Sequence, residues 1–86
     1  MSSRHRLEIQ GQAPFKQSGI YEVQIFIVDS KPSADQIRNK QFSSLWKGHF
    51  HLRVKDGTFT EILGSDENPI PSSVYDLNVV WIVVTD

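Results

Sequence analysis

Polar and apolar residues alternate over Arg6-Leu7-Glu8-Ile9-Gln10, the two-residue period of a strand with one buried face. The stretch 12–19 carries Pro14 and Gly19 and reads as a loop. Residues 20–28 follow as the longest strand, with Tyr21, Val23, Ile25 and Ile27 on one face. Ile20, Phe26 and Val28 lie on the other face, broken by Glu22 and Gln24. Apolar residues on both faces toward its end predict a central strand, covered there on both sides. Residues 45–54 are the most legible run. Trp46, Gly48, Phe50, Leu52 and Val54 share the inward face, and Lys47, His49, His51 and Arg53 the outward one. Lys55-Asp56-Gly57-Thr58 then supplies an Asp-Gly turn, whose geometry needs positive φ at both central positions. It predicts that residues 58–63 return antiparallel, with Val54 opposite Phe59, Arg53 opposite Thr60, Leu52 opposite Glu61 and His51 opposite Ile62. That register turns Phe59 inward. It also turns Glu61 inward, a conflict that a bulge or an edge position relieves.

Between these runs the pattern is less regular. Residues 29–44 are polar and read as a loop with at most two helical turns; Ser33 with Gln36 has the spacing of a capping box, which allows a short helix over 34–41. Residues 64–73 are rich in turn formers, and 73–76 fit one helical turn. The closing run, 79–84, is apolar on both faces with Trp81 in its middle, so it belongs inside a sheet or against another chain. Sixteen valines and isoleucines against seven alanines and leucines strengthen the β reading, because β-branched side chains fit a pleated surface. Five or six strands are legible directly. The whole reads as an all-β antiparallel β-sandwich, Ig-like or jelly-roll-like, of about six to seven short strands with at most one short helix. With 86 residues there is room for one domain, 1–86, and no second core.

Charge narrows the function classes. A formal charge of −1 excludes a globally basic nucleic-acid binder, and no apolar run outside the final strand approaches signal-peptide or membrane-spanning length. If the protein leaves the cell, the expectation is that it does so without its own ordinary signal, or that the chain begins after one. The absence of cysteine removes disulfide frameworks, zinc ribbons and thiol nucleophiles. The charges are unevenly spread: residues 1–57 hold all nine Lys and Arg and five acidic residues, a net of +4, and residues 58–86 hold five acidic residues and no base, a net of −5. Opposite patches of this kind favour head-to-tail stacking, although neighbouring strands can equally neutralise each other within one fold.

In the second half, Leu45-Trp46, then Val54-x-Asp56-Gly57-x-Phe59, Leu63-Gly64-Ser65, Pro69-Ile70-Pro71 and Trp81-Ile82-x-Val84 occur in order. This succession resembles a small β-sandwich module of large bacterial and archaeal surface proteins and of phage-tail-fibre-like proteins. Upstream, Leu7-Glu8-Ile9-Gln10-Gly11 resembles the module's first strand and Gly19-Ile20-Tyr21-Glu22-Val23 its second, so the likeness spans residues 6–84. Two departures stand out: the 29–44 connection is longer than in the module, and the chain stops at Asp86 where related proteins continue into further domains or a stem. The resemblance implies a structural or adhesive part at a cell surface or in a virion-like assembly. No catalytic residues come with it. Independently of the resemblance, Trp46, Asp56, Gly57, Phe59, Gly64, Pro69, Pro71 and Trp81 all read as turn or core positions, with Trp46 and Trp81 as core partners across the two sheets.

The residues with chemistry to offer are few. His49 and His51 project from one strand face at a spacing that suits two metal ligands, with His5 or Glu61 nominated as a third. Lys47 and Arg53 beside them repel a cation, and an ordinary solvated face accounts for the same pattern. Lys47, His49, His51, Arg53 and Lys55 together make a basic stripe able to meet phosphates, acidic glycans or a carboxylate-rich partner. No aromatic shares its face for base stacking, which argues against nucleic acid. No nucleophile elbow, paired carboxylates or phosphate-binding glycine loop appears, so neither catalysis nor a cofactor is expected. The expectation is a non-enzymatic module, a subunit or repeat of an appendage, fibre or tail-like assembly, with homo-oligomers or other protein subunits as partners and no membrane insertion. Leu7 and Ile9 in the first strand, and Val80, Ile82 and Val84 in the last, mark its assembly edges. Removing residues 1–11 should then disrupt assembly and leave a β-rich body. The alternative is a carbohydrate-binding β-sandwich that uses exposed Trp46, Trp81, Tyr21 and Tyr75 with the 29–44 loop.

Overall fold

The computed structural model describes residues 6–14 and 16–85. Five strands form two antiparallel sheets: β1 (Leu7–Gln12), β2 (Gly19–Val28), β3 (Trp46–Val54), β4 (Thr58–Leu63) and β5 (Trp81–Thr85). The first sheet is the pair β1-β4 and the second has the order β3-β2-β5. The all-β sandwich is as the alternation predicts, with β2 central. Its strands number five among the described residues, fewer than the six to seven expected. The difference lies in the two long connections. Ser33 caps a five-residue helix, α1 (Ala34–Arg38): its hydroxyl accepts from the Gln36 N–H, and the Gln36 side chain accepts from the Ser33 N–H. A 3-10 helix, Ser72–Asp76, follows Pro71. Capping and proline take these segments out of any ladder.

Residues that alternate in sequence sort onto faces as expected. Val23, Ile25 and Ile27 of β2, Trp46, Leu52 and Val54 of β3, and Leu63 of β4 form the main core with Ile70 and Val74. Leu7, Ile9, Phe50, Phe59 and Ile82 pack against it. Ile25, Ile27, Leu63 and Ile70 are completely enclosed. Each such side chain contributes about 1.5–3 kcal/mol over its exposed state. Phe26, Val28 and Val83 make a second, smaller core on the outer face of the three-stranded sheet, closed by Ile37 of α1 and by Phe42. Phe42 meets Phe26 edge to face at 5.0 Å. The long 29–44 connection is therefore a cover for one end of that face.

The Asp-Gly turn forms as predicted, with φ of 55° at Asp56 and 76° at Gly57. Lys55 and Thr58 exchange both backbone hydrogen bonds across it, at 2.9 and 3.0 Å. The hairpin register expected beyond it does not form. After the Lys55–Thr58 bridge the arms part, and β4 pairs with β1 instead, from Gln12 opposite Thr58 to Leu7 opposite Leu63. A flat hairpin would set the apolar sides of β3 and β4 next to each other, both still open to water. Parting lets Phe59 and Leu63 lie over Leu52, Val54 and Trp46 as a second layer, which buries both. Gly11, opposite Phe59, makes room for that ring: a Cβ there would stand 2.4 Å from Phe59 Cζ. Glu61 does lie on the inward side, half-buried opposite Ile9. The edge position resolves its conflict, since its carboxylate turns back to accept the Ile62 N–H at 3.1 Å.

The strand registers give the body two distinct ends. At the turn end, the loop after β1 meets the Lys55–Thr58 turn: the Ala13 N–H donates to the Gly57 carbonyl at 2.7 Å, and the Asp56 N–H to Ser18 Oγ at 3.2 Å. At the connection end, both long connections leave the sheets. Lys16, Arg53 and Lys55 set against Asp56 make the turn end basic, whereas the connection end mixes Asp29, Asp35, Asp66, Glu67 and Asp76 with Arg6, Lys31, Arg38, Lys40 and Lys47.

Candidate interaction surface

On the outer face of β3, Lys47, His49, His51 and Arg53 form an exposed row, as expected. Their neighbours across the sheet are Phe26, Gln24, Glu22 and Ile20 in turn. His51 Nε2 stands 3.5 Å from Glu22 Oε2, and Lys40 Nζ donates to Gln24 Oε1 at 3.4 Å. Lys55 is exposed but sits in the turn, past the end of this row. Because β4 pairs with β1, Glu61 belongs to the other sheet and does not join His49 and His51. His5 lies outside the described residues. Among the described residues no three of His, Cys, Asp and Glu cluster in a way that would hold a metal ion.

The two tryptophans part company. Trp46 is 6% exposed in the main core, where its Nε1 donates to the Asn68 carbonyl at 3.0 Å. Trp81 is opposite Val28, on the other face of the same sheet, and 37% exposed. They are not partners across the sandwich, because a one-residue offset in register sends each to its own face. Tyr21 is held beneath Lys16, whose Nζ is 4.8 Å from the ring centre, and its hydroxyl donates to the Gln17 carbonyl at 2.6 Å. Tyr75 is partly exposed, with its hydroxyl donating to the Arg6 carbonyl at 2.8 Å.

The expected assembly edges also differ from each other. Leu7 and Ile9 point into the core, so β1 is part of the body and is the only strand that β4 pairs with among the described residues. Residues 1–11 include all but the last residue of β1, one of the two strands of the first sheet. Strand β5, like β1, β3 and β4, pairs along one edge only, and it differs from them in having no charged residue. It pairs with β2 on one edge and with nothing on the other among the described residues. Val80 and Ile82 are half-buried against the main core, and Val84 is 39% and Val79 58% exposed. With two strands facing three, no strand among the described residues packs squarely over the inner face of β5. A groove of about 410 Å³ remains there, floored by Val23, Leu52, Ile82 and Val84, with Phe59, Ala13 and Lys16 along its other wall. At the far end of β5, Thr85 Oγ1 is buried without a hydrogen-bond partner.

The fold and this surface together define a class: a small five-stranded antiparallel β-sandwich whose uncharged β5 edge is unpaired among the described residues. No protein-family model matches the chain, and no curated protein or solved structure matches it either. Among the described residues no helix is long and apolar enough to cross a membrane.

Proposed function

We propose that this chain is a non-enzymatic structural or interaction module, a subunit or repeat of a surface appendage, fibre or tail-like assembly. It associates with protein subunits through its edge strands, with the charged faces aligning them. One observation carries the reading: β5 presents an unpaired edge flanked by exposed Val79, Trp81 and Val84 beside an apolar groove. Unpaired strand edges with apolar side chains are templates for strand addition, and most monomeric proteins blunt them with charge, proline or a covering loop. Here nine consecutive residues, 77–85, carry no charge at all. The resemblance to surface and tail-fibre modules adds the setting, an assembly outside the cell or in a virion. The glycan alternative draws less support, because buried Trp46 and partly exposed Trp81 lie on opposite faces and form no common platform.

Light scattering over a wide concentration range, with electron microscopy of the same samples, tests the reading. The expected result is a mass above the 9.8 kDa of one chain, returning to that value in a Val79→Lys variant. A strict monomer at every concentration would overturn association and direct the next experiment to tryptophan quenching by glycans.

A further inference from the structure

Beyond the association reading, we infer that the outer face of β3 and β2 binds an acidic polysaccharide of the uronate kind. One sugar ring sits in a cleft at the Lys40–Lys47 end, and the chain runs along the β3 row. The cleft, about 330 Å³, lies between the connection before β3 and the sheet: Gln24, Lys40, Ser44 and Lys47 line it over Phe26 and Phe42. Its size is that of a small-ligand site. Phe26 is 8% exposed and Phe42 meets it edge to face, so the floor is apolar and held in place. Lys40 follows α1 with a φ of 56°, in the left-handed region, and its Nζ donates to Gln24 Oε1 at 3.4 Å. That contact brings the Lys40 ammonium over the sheet, to the same cleft as Lys47. Two ammonium groups, an amide and a hydroxyl around an apolar floor match a ring that carries one carboxylate and several hydroxyls.

The row continues the site. His49, His51 and Arg53 stand exposed at alternate positions of β3, so Lys47 and Arg53 are about 20 Å apart at about 3.4 Å per residue. Beside them on β2 lie Gln24 and Glu22, with Glu22 Oε2 3.5 Å from His51 Nε2. This mixture selects among polyanions. Single-stranded nucleic acid stacks its bases on aromatic side chains, which the row lacks, and its phosphates offer Glu22 no donor. The carboxylates of an acidic peptide also offer no donor and meet Glu22 as a like charge. A uronate chain presents carboxylates to the cations and hydroxyls to Glu22 and Gln24, whereas a heavily sulfated chain has given up those hydroxyls. The histidines add a dependence on pH, because an imidazole gains charge on acidification. His51 faces Glu22 across the sheet and Arg53 along the strand; His49 faces Gln24, which carries the Lys40 contact, and Lys47. On its other side His49 borders Ile62 and Ser65, which carry no charge, and Glu61 of β4 lies on the inward side. Binding therefore strengthens as pH falls, for as long as the ligand's carboxylates stay ionised.

Polygalacturonate is the direct probe, titrated into the intact chain and followed by calorimetry. Binding is expected, and Lys40→Gln together with Lys47→Gln should weaken it about tenfold, the loss of a charge-assisted hydrogen bond. Lys31→Gln, which alters neither the cleft nor the row, should leave it unchanged. All three lysines are exposed, so the circular-dichroism spectrum should not move. In the unaltered chain, affinity should rise several-fold between about pH 7.5 and about pH 5.5, and His49→Gln with His51→Gln should remove that rise. No binding of polygalacturonate, or binding indifferent to the Lys40 and Lys47 changes, overturns the site. An affinity that does not change with pH overturns the part given to the row. Equal or tighter binding of poly-glutamate, oligothymidylate or dextran sulfate would mean that charge alone is read, and overturns the assignment to a uronate chain. None of these measurements requires self-association, so their failure is distinct from a failure of the association reading.

Discussion

Strands β3 and β5 flank the same central strand, and each has a row of backbone groups facing away from it. The molecule ties down the two ends of one row, and no strand pairs with the other among the described residues. Along β3 the Asn68 side chain donates to the Lys47 carbonyl at 2.9 Å, Trp46 holds the Asn68 carbonyl in return, and the Lys55–Thr58 turn seals the far end. The outward face of β3 is also studded with charge. Strand β5 has no charged residue and, among the described residues, no strand pairs with its free edge. The contrast separates two placements of an apolar pattern: on β3 it faces inward and makes a core, and on β5 part of it faces solvent.

Four changes test how far that contrast extends. Deleting residues 1–11 has the largest expected effect, since it removes Leu7, Ile9 and the strand that pairs β4. Cooperative thermal unfolding, followed by circular dichroism, should be lost. A cooperative transition that survives would mean that the three-stranded sheet folds without its second layer. Next, Trp46→Ala should cost about 3–5 kcal/mol in urea titration, because it empties a core position and releases Asn68. Trp81→Ala at the open edge should cost well under half as much in the monomer, while weakening association. Equal costs would show that both edges are structural. Smallest is Asn68→Ala, at about 1 kcal/mol for the lost bond to Lys47. Its informative readout is hydrogen exchange at β3, where amides should lose protection as the covered edge comes to resemble the open one.

Much of this was legible from periodicity. The faces of β2 and β3, the Asp-Gly turn and the Ser33–Gln36 cap all follow from local spacing, because each depends on residues a few positions apart. The pairing of β4 was not. An Asp-Gly turn fixes the direction of the chain for four residues, and which neighbour the next strand takes depends on where Phe59 and Leu63 find cover. Gly11 was the available signal, a gap in an alternating strand that matches an aromatic in β4. Trp81 shows a similar limit. Its apolar surroundings predict burial, and only its register opposite Val28 reveals that it lies on the outer face of the sheet, away from the main core. Of the candidate site, the basic row was visible as charge on one face. The unpaired edge was visible only as the requirement that 79–84 be internal or shared.

The pairing of β1 with β4 also governs how the chain reaches this structure. Gln12 and Thr58, the nearest residues of that ladder, are separated by 46 positions, so the first strand to leave the ribosome waits for the fourth. The Lys55–Thr58 turn closes early and locally, but it does not zip, since its arms belong to different layers. Loop-closure entropy must therefore be overcome before the two-stranded sheet gains any bond, which places this small domain among slow folders, on the order of milliseconds to seconds. Until β1 docks, the apolar strands of a nascent chain stand open to the strands of its neighbours, and the timing of that single closure decides between folding and premature association.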